Sequence, residues 1–227
     1  MAIDKSRTSP FVKTTIIVLA ILLVLTIGGT AFVPLLETML NPQPANTAGG
    51  AGSTTATDTV AAISTKYAGR IQANDEKLKA DPKNYDTLVN QAQAYHDWAN
   101  EVMQTTKQQG ATDRPLWLLA ASFYGKAVEV KPGDPNVTTD MAIAQFYSGD
   151  AEAAIATVLG VTKSDPKFAQ AWFNLGVFYA ASGQNQKAIA AYQDYIKVDP
   201  QGQLVSEAKA RIADLQTSGS TTTSPTP

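Results

Sequence analysis

The sequence predicts an all-α protein, a solenoid of stacked helical hairpins behind one N-terminal apolar helix. Three observations predict it. Pro132, Pro166 and Pro200 lie 34 residues apart, and each follows a short apolar helix end: VEVKP, GVTKSDP and IKVDP. A fixed period of this size marks an array of repeated helical units. Between residues 58 and 216 apolar side chains recur at three- and four-residue spacing, and no segment alternates for long with period two. Finally, no residue from Thr14 to Leu36 is charged.

That uncharged run would span roughly 34 Å as a helix, enough for a bilayer core. Lys5, Arg7 and Lys13 precede it against the single acid Asp4, and no base follows until Lys66. The positive-inside bias therefore predicts a cytoplasmic tail (1–13), a transmembrane helix (14–36) and all later residues outside: a single-pass protein of the cytoplasmic membrane. A cleaved signal peptide is the alternative, with small residues at Gly29-Thr30-Ala31, and would give a secreted product. The apolar run continues through Phe32, Val33, Leu35 and Leu36, longer than a signal core, which favours a retained anchor. Residues 37–57 lack apolar periodicity and, rich in Gly, Pro, Ala and Thr, read as a flexible linker. Residues 217–227 read as a disordered tail.

Between linker and tail the expected order is a leading helix (58–84), three repeats (85–134, 135–168 and 169–202) and a capping helix (203–216). Numbering each copy so that its terminal proline is position 32, the last copy carries Trp172, Leu175, Gly176 and Tyr179 on its first helix. Its second carries Ala188 and Tyr192, and Pro200 closes it. This pattern resembles the tetratricopeptide repeat, a helix–turn–helix of 34 residues that stacks into a right-handed solenoid. Only position 27 departs, with Tyr195 where a small residue is usual. The middle copy is looser: Ala142, Ala154 and Pro166 fit, while Thr138 and Gln145 depart. The first copy shows Ala92 and Tyr95, then Ala120, Tyr124 and Pro132 after 16 extra residues. Those residues are expected to lengthen the first helix by two to three turns through WANEVMQTTKQQ, with Pro115 opening the next helix. Small side chains at Gly176 and Ala188 would permit close approach where the helices cross, and Gly183 suits the turn between them.

Composition excludes several kinds of chemistry. With no cysteine there are no disulfides, thiol nucleophiles or thiolate metal sites. A net charge of -2, without a basic cluster, gives no footprint for nucleic acid. His96 is the sole histidine, the carboxylates form no dyad and GGAG at 49–52 belongs to the linker. No catalytic residue, cofactor or metal is expected, and the chain is not built as an enzyme.

The resemblance implies protein–protein interaction, in scaffolding, assembly or chaperoning, with the first helix of each repeat lining a concave groove at positions 2, 5, 9, 12 and 13. The expected partner-binding residues are Val89, Gln93 and His96 in the first copy and Thr139, Ile143, Phe146 and Tyr147 in the second. The third contributes Gln170, Phe173, Asn174 and Val177. Relatives that hold acidic chaperone C-termini use Lys, Arg and Asn at positions 2, 5, 6 and 9. No base stands at those positions here, and Asp86 and Asp140 would repel a carboxylate. The expected occupant is instead a peptide or helix with apolar anchors. The alternative is a self-associating, homo-oligomeric structural protein, or a strip covered by the leading helix or by the extra turns near Trp98 and Met103. A short tail, one anchor and outward repeats also look like membrane-anchored bacterial envelope proteins.

Overall fold

The computed structural model describes residues 56–107 and 112–220. The expected cytoplasmic tail, apolar helix and nearly all of the linker lie outside them. Among the described residues there are eight helices and no strand: α1 (Ala56–Ala80), α2 (Tyr85–Thr106), α3 (Arg114–Val130), α4 (Pro135–Tyr147), α5 (Ala151–Ser164), α6 (Ala169–Ala181), α7 (Asn185–Val198) and α8 (Val205–Ser220). The chain divides into two units, with α1 in the first and α2–α8 in the second. In α1 the buried side chains Val60, Ile63, Tyr67 and Ile71 recur at three- and four-residue spacing along one face. In the second unit α2/α3, α4/α5 and α6/α7 pair as successive hairpins, and α8 packs on α7.

The sequence punctuates these helices with specific chemistry. Asn84 caps α2 by accepting from the Thr87 amide at 3.0 Å, and Asp134 caps α4 by accepting from the Asn136 and Val137 amides. Asp150 caps α5 through the Ala153 amide. Each such cap is worth about 1 kcal/mol. The periodic prolines sit one residue past the caps Lys131, Asp165 and Asp199, whose amides close the last turns onto Ala127, Val161 and Tyr195 carbonyls. A proline there has no N–H to continue the ladder. The hairpin turns close at Gly149 (φ 96°) and Gly183 (φ 72°), a backbone region that only glycine enters without strain. The next amides, of Asp150 and Gln184, reach back to the Gln145 and Tyr179 carbonyls at 2.9 Å each.

The 16 extra residues of the first repeat are divided three ways. α2 has 22 residues where α4 and α6 have 13, so nine lengthen the first helix. α3 has 17 where α5 and α7 have 14, adding three. The remaining four lie in the connection, which runs over 107–113 against three residues (148–150 and 182–184) in the other hairpins. Lys107 ends α2 in the left-handed region (φ 54°), its amide donating to the Met103 carbonyl.

The repeat-defining residues form the core. Ala92, Ala120, Ala142, Ala154 and Ala188 are fully buried, and Tyr95, Leu175, Tyr179 and Tyr192 are buried with them. Gly176 is small for a definite reason: a methyl group there would meet the Tyr192 ring at 2.6 Å. Trp172 is half-buried, and its indole N–H donates to the Pro166 carbonyl at 2.9 Å. The tryptophan of one copy is thereby tied to the closing proline of the one before. Tyr195, the departure at position 27, is buried, and its hydroxyl accepts from the Leu204 amide at 3.2 Å. The larger residue serves the chain end by docking the start of the capping helix. That helix continues to Ser220, beyond the expected 216.

Candidate functional site

The groove positions lie on α2, α4 and α6, and packing has already engaged many of them. Thr139 is fully buried and its hydroxyl has no hydrogen-bond partner. Phe173 is 8 % exposed, edge-on to Tyr192 at 5.5 Å and Tyr195 at 5.4 Å, with the Arg211 guanidinium of α8 over its ring at 5.9 Å. Through Arg211 the capping helix closes over this end of the strip.

A chain of ring contacts engages the next group. His96 meets Trp117 edge-on at 4.8 Å, and Trp117 stacks on Tyr147 at 4.9 Å. Tyr147 meets Phe146 at 5.3 Å, and Phe146 stacks on Phe178 at 4.7 Å. These spacings are those of favourable stacked and edge-to-face pairs, worth about 0.5–1.5 kcal/mol each beyond area burial. The chain crosses α2, α3, α4 and α6, so it joins all three repeats. Its wedge is Trp117, 1 % exposed, whose indole N–H donates to the Asp113 carboxylate at 3.3 Å. At the same seam the Arg114 Nε donates to the Ser148 carbonyl at 2.6 Å, closing the end of α4. Trp117, absent from the groove expected from sequence, stands between two of its residues. The sequence marks it only as an aromatic two residues after the helix-opening Pro115, which gives no sign of its contacts on other helices.

The positions outside these ring contacts are also only partly enclosed. Val89, Gln93, Ile143, Asn174 and Val177 are half-buried and Gln170 is exposed. Gln93, Ile143 and Val177 share one repeat position in the three copies. Asn174 is oriented by donating its amide to the Gln170 carbonyl at 2.9 Å.

The charged side chains that the first helices carry at or beside these positions are acidic. Asp86 and Asp97 are exposed and Asp140 is half-buried. Burial pushes the Asp140 carboxyl up to about 6, and the charges of Asp134 and Asp97 add to the shift. Burial lowers the His96 imidazole, a shift that neighbouring Asp97 only partly offsets, and its Nδ1 has no hydrogen-bond partner. At neutral pH His96 is an uncharged ring packed on Trp117 and Tyr124. The Tyr85 hydroxyl donates to Asp134 at 3.0 Å. Burial and that bond raise Tyr85 to about 12. For Asp134, burial pushes upward, but the Tyr85 hydroxyl and the Val137 and Asn136 amides bring the carboxyl below its usual range. Among the described residues no group of three or more His, Asp or Glu could hold a metal ion.

Residues 139–203 match the family profile described as tetratricopeptide repeat. Over 101 residues the chain is 34 % identical to small glutamine-rich tetratricopeptide repeat-containing protein 2 of Mycosarcoma maydis, a match covering 44 % of this chain and 29 % of that protein. A weaker match, 27 % over 96 residues, is to a serine/threonine-protein phosphatase T of Trypanosoma brucei brucei, covering 42 % of this chain and 20 % of that enzyme. The chain thus spans less than a third of the length of either relative. Among solved structures, MamA superposes with a TM-score of 0.57 at 24 % identity, covering 72 % of this chain and 84 % of that one. At that identity the likeness establishes the fold: an all-helical tetratricopeptide-type solenoid.

The location expected from sequence does not hold. No helix among the described residues is long and apolar enough to cross a membrane, and the sequence relatives are a fungal tetratricopeptide repeat protein and a trypanosome phosphatase, neither described as an envelope protein. The assignment to the outer face of the cytoplasmic membrane, N-terminus inside, is withdrawn, and nothing found supports a membrane-anchored bacterial envelope type.

Proposed function

We propose that this chain of tetratricopeptide repeats is a protein-binding module, a scaffold or assembly factor whose concave face takes an apolar-anchored peptide or helix from a partner. The observation that carries this is the environment of Gln93, Ile143 and Val177. These side chains stay half-buried at one repeat position and make no ring contact, while half-buried Phe146 and Tyr147 beside them are engaged in ring contacts and Phe173 is buried. A large apolar side chain seated on such positions stabilises a complex by about 1.5–3 kcal/mol. Two or three anchors would offset the cost of ordering an extended segment.

The C-terminal end of the array supports a module that does not extend by stacking at that end. α8 exposes Ser206, Glu207, Lys209, Arg211, Asp214 and Gln216, and Arg211 pairs with Glu207 across one turn. A polar terminal helix is what closes a solenoid against further stacking.

The test compares native chain with Ile143→Glu and Val177→Glu as baits for partner capture, with circular dichroism to verify folding. These positions are chosen because their side chains are partly open, whereas a charge at Phe146 or Phe173 would be forced into packed rings. Partners retained by the native chain and lost by both variants support the groove. Partners retained equally by all three would place binding elsewhere.

A further inference from the structure

Resting on that groove reading, we propose that the partner segment is cationic: its aliphatic anchors seat on Ile143 and Val177, and its lysine or arginine side chains meet Asp86, Asp97 and Asp140. Charge complementarity selects this partner. The whole chain is nearly balanced, with 18 Lys and Arg against 20 Asp and Glu. The groove positions are not. Positions 2, 5, 6, 9, 12 and 13 of the three copies hold Asp86, Asp97 and Asp140 and no lysine or arginine. The one other titratable base there, His96, is kept neutral by burial.

Asp140 carries most of the weight. It stands on α4 in the middle repeat, one residue from buried Thr139 and three before Ile143. Among the described residues its carboxylate makes no hydrogen bond and no ion pair, and the charges acting on it, from Asp134 and Asp97, are both negative. A half-buried carboxylate repelled by its neighbours is an unfavourable choice for the fold alone, and groups of this kind concentrate at binding sites. A lysine or arginine brought beside it would relieve the repulsion and replace lost solvation with an ion pair in a partly desolvated place. Asp86 and Asp97, exposed on α2, extend the negative field along the same face of the first repeat.

The experiment uses the full chain and three fluorescent peptides sharing the same leucines at helical spacing, with lysine, glutamine or glutamate at the positions between. Anisotropy titrations at about 0.05 M and about 0.5 M salt bracket the Debye screening range. The expected result is that the lysine peptide binds at least about tenfold tighter than the glutamate peptide at low salt. That preference should shrink severalfold in Asp140→Asn and in Asp97→Asn, and collapse at high salt. Equal affinity for all three peptides, abolished by Ile143→Glu, would overturn the cationic partner and leave the groove standing. A preference for glutamate would also overturn it. Binding that Ile143→Glu leaves unchanged, or no binding by any peptide, would remove the groove reading and this proposal together.

Discussion

Asp140 and Gly176 show how single residues decide between stability and use. With its folded-state pKa raised to about 6 from 3.8, Asp140 holds its proton more tightly in the folded protein than in the unfolded chain. Its contribution is therefore most favourable at low pH and is lost as pH rises through about 6. The full shift would correspond to about 3 kcal/mol, but a partly exposed group is screened, and about 1 kcal/mol is the expected effect. Asp140→Asn should thus be more stable than the native chain at pH 7 by about 1 kcal/mol, with the advantage fading toward pH 4. Denaturant melts across this range read it directly. His96 has the opposite sign, since its lowered pKa loses stability as pH falls below 6.5. The difference between native and variant isolates the carboxylate. At Gly176 the expected change is a loss. Alanine drives a methyl into the fully buried Tyr192 ring, and overpacking of this kind costs about 1–3 kcal/mol, more than the helix propensity it gains.

Among elements, the capping helix and the inserted stretch are where sequence reasoning and structure part. The lengthened α2 was legible because apolar periodicity continues unbroken through Trp98 and Val102, both buried. The role of Trp117 was not, because its contacts His96 and Tyr147 lie on different helices and no local spacing encodes a ring wedged between repeats. Trp117→Ala should cost about 3–5 kcal/mol in denaturant unfolding, the range for emptying a large aromatic site. Tyr195 was legible only as a mismatch to the repeat pattern. Its reason, the bond to the Leu204 amide, appears only once α8 is in place. Tyr195→Phe keeps the ring and removes that acceptor, so a loss of about 0.5–1.5 kcal/mol is expected. The loss should appear as faster amide exchange at Leu204 and in the first turn of α8, with α4 and α5 unchanged.

For the whole molecule, the 34-residue proline period specified the solenoid because each repeat meets chiefly its neighbours, and nearest-neighbour packing is what a periodic sequence can encode. The groove was harder to read, since the same positions serve packing and recognition. Phe173 and Thr139 are enclosed, Phe146, Tyr147 and His96 are tied into ring contacts, and half-buried Ile143 and Val177 are left as the proposed apolar anchors. The most direct measurement is methyl NMR of the full chain during titration with the lysine-bearing leucine peptide. The expected result is that Val89, Ile143 and Val177 methyl resonances move together and saturate, while those of fully buried Val158 and Ala154 on α5 stay in place. Shifts confined to α3, α5 and α7, with Ile143 and Val177 unmoved, would contradict binding in the groove.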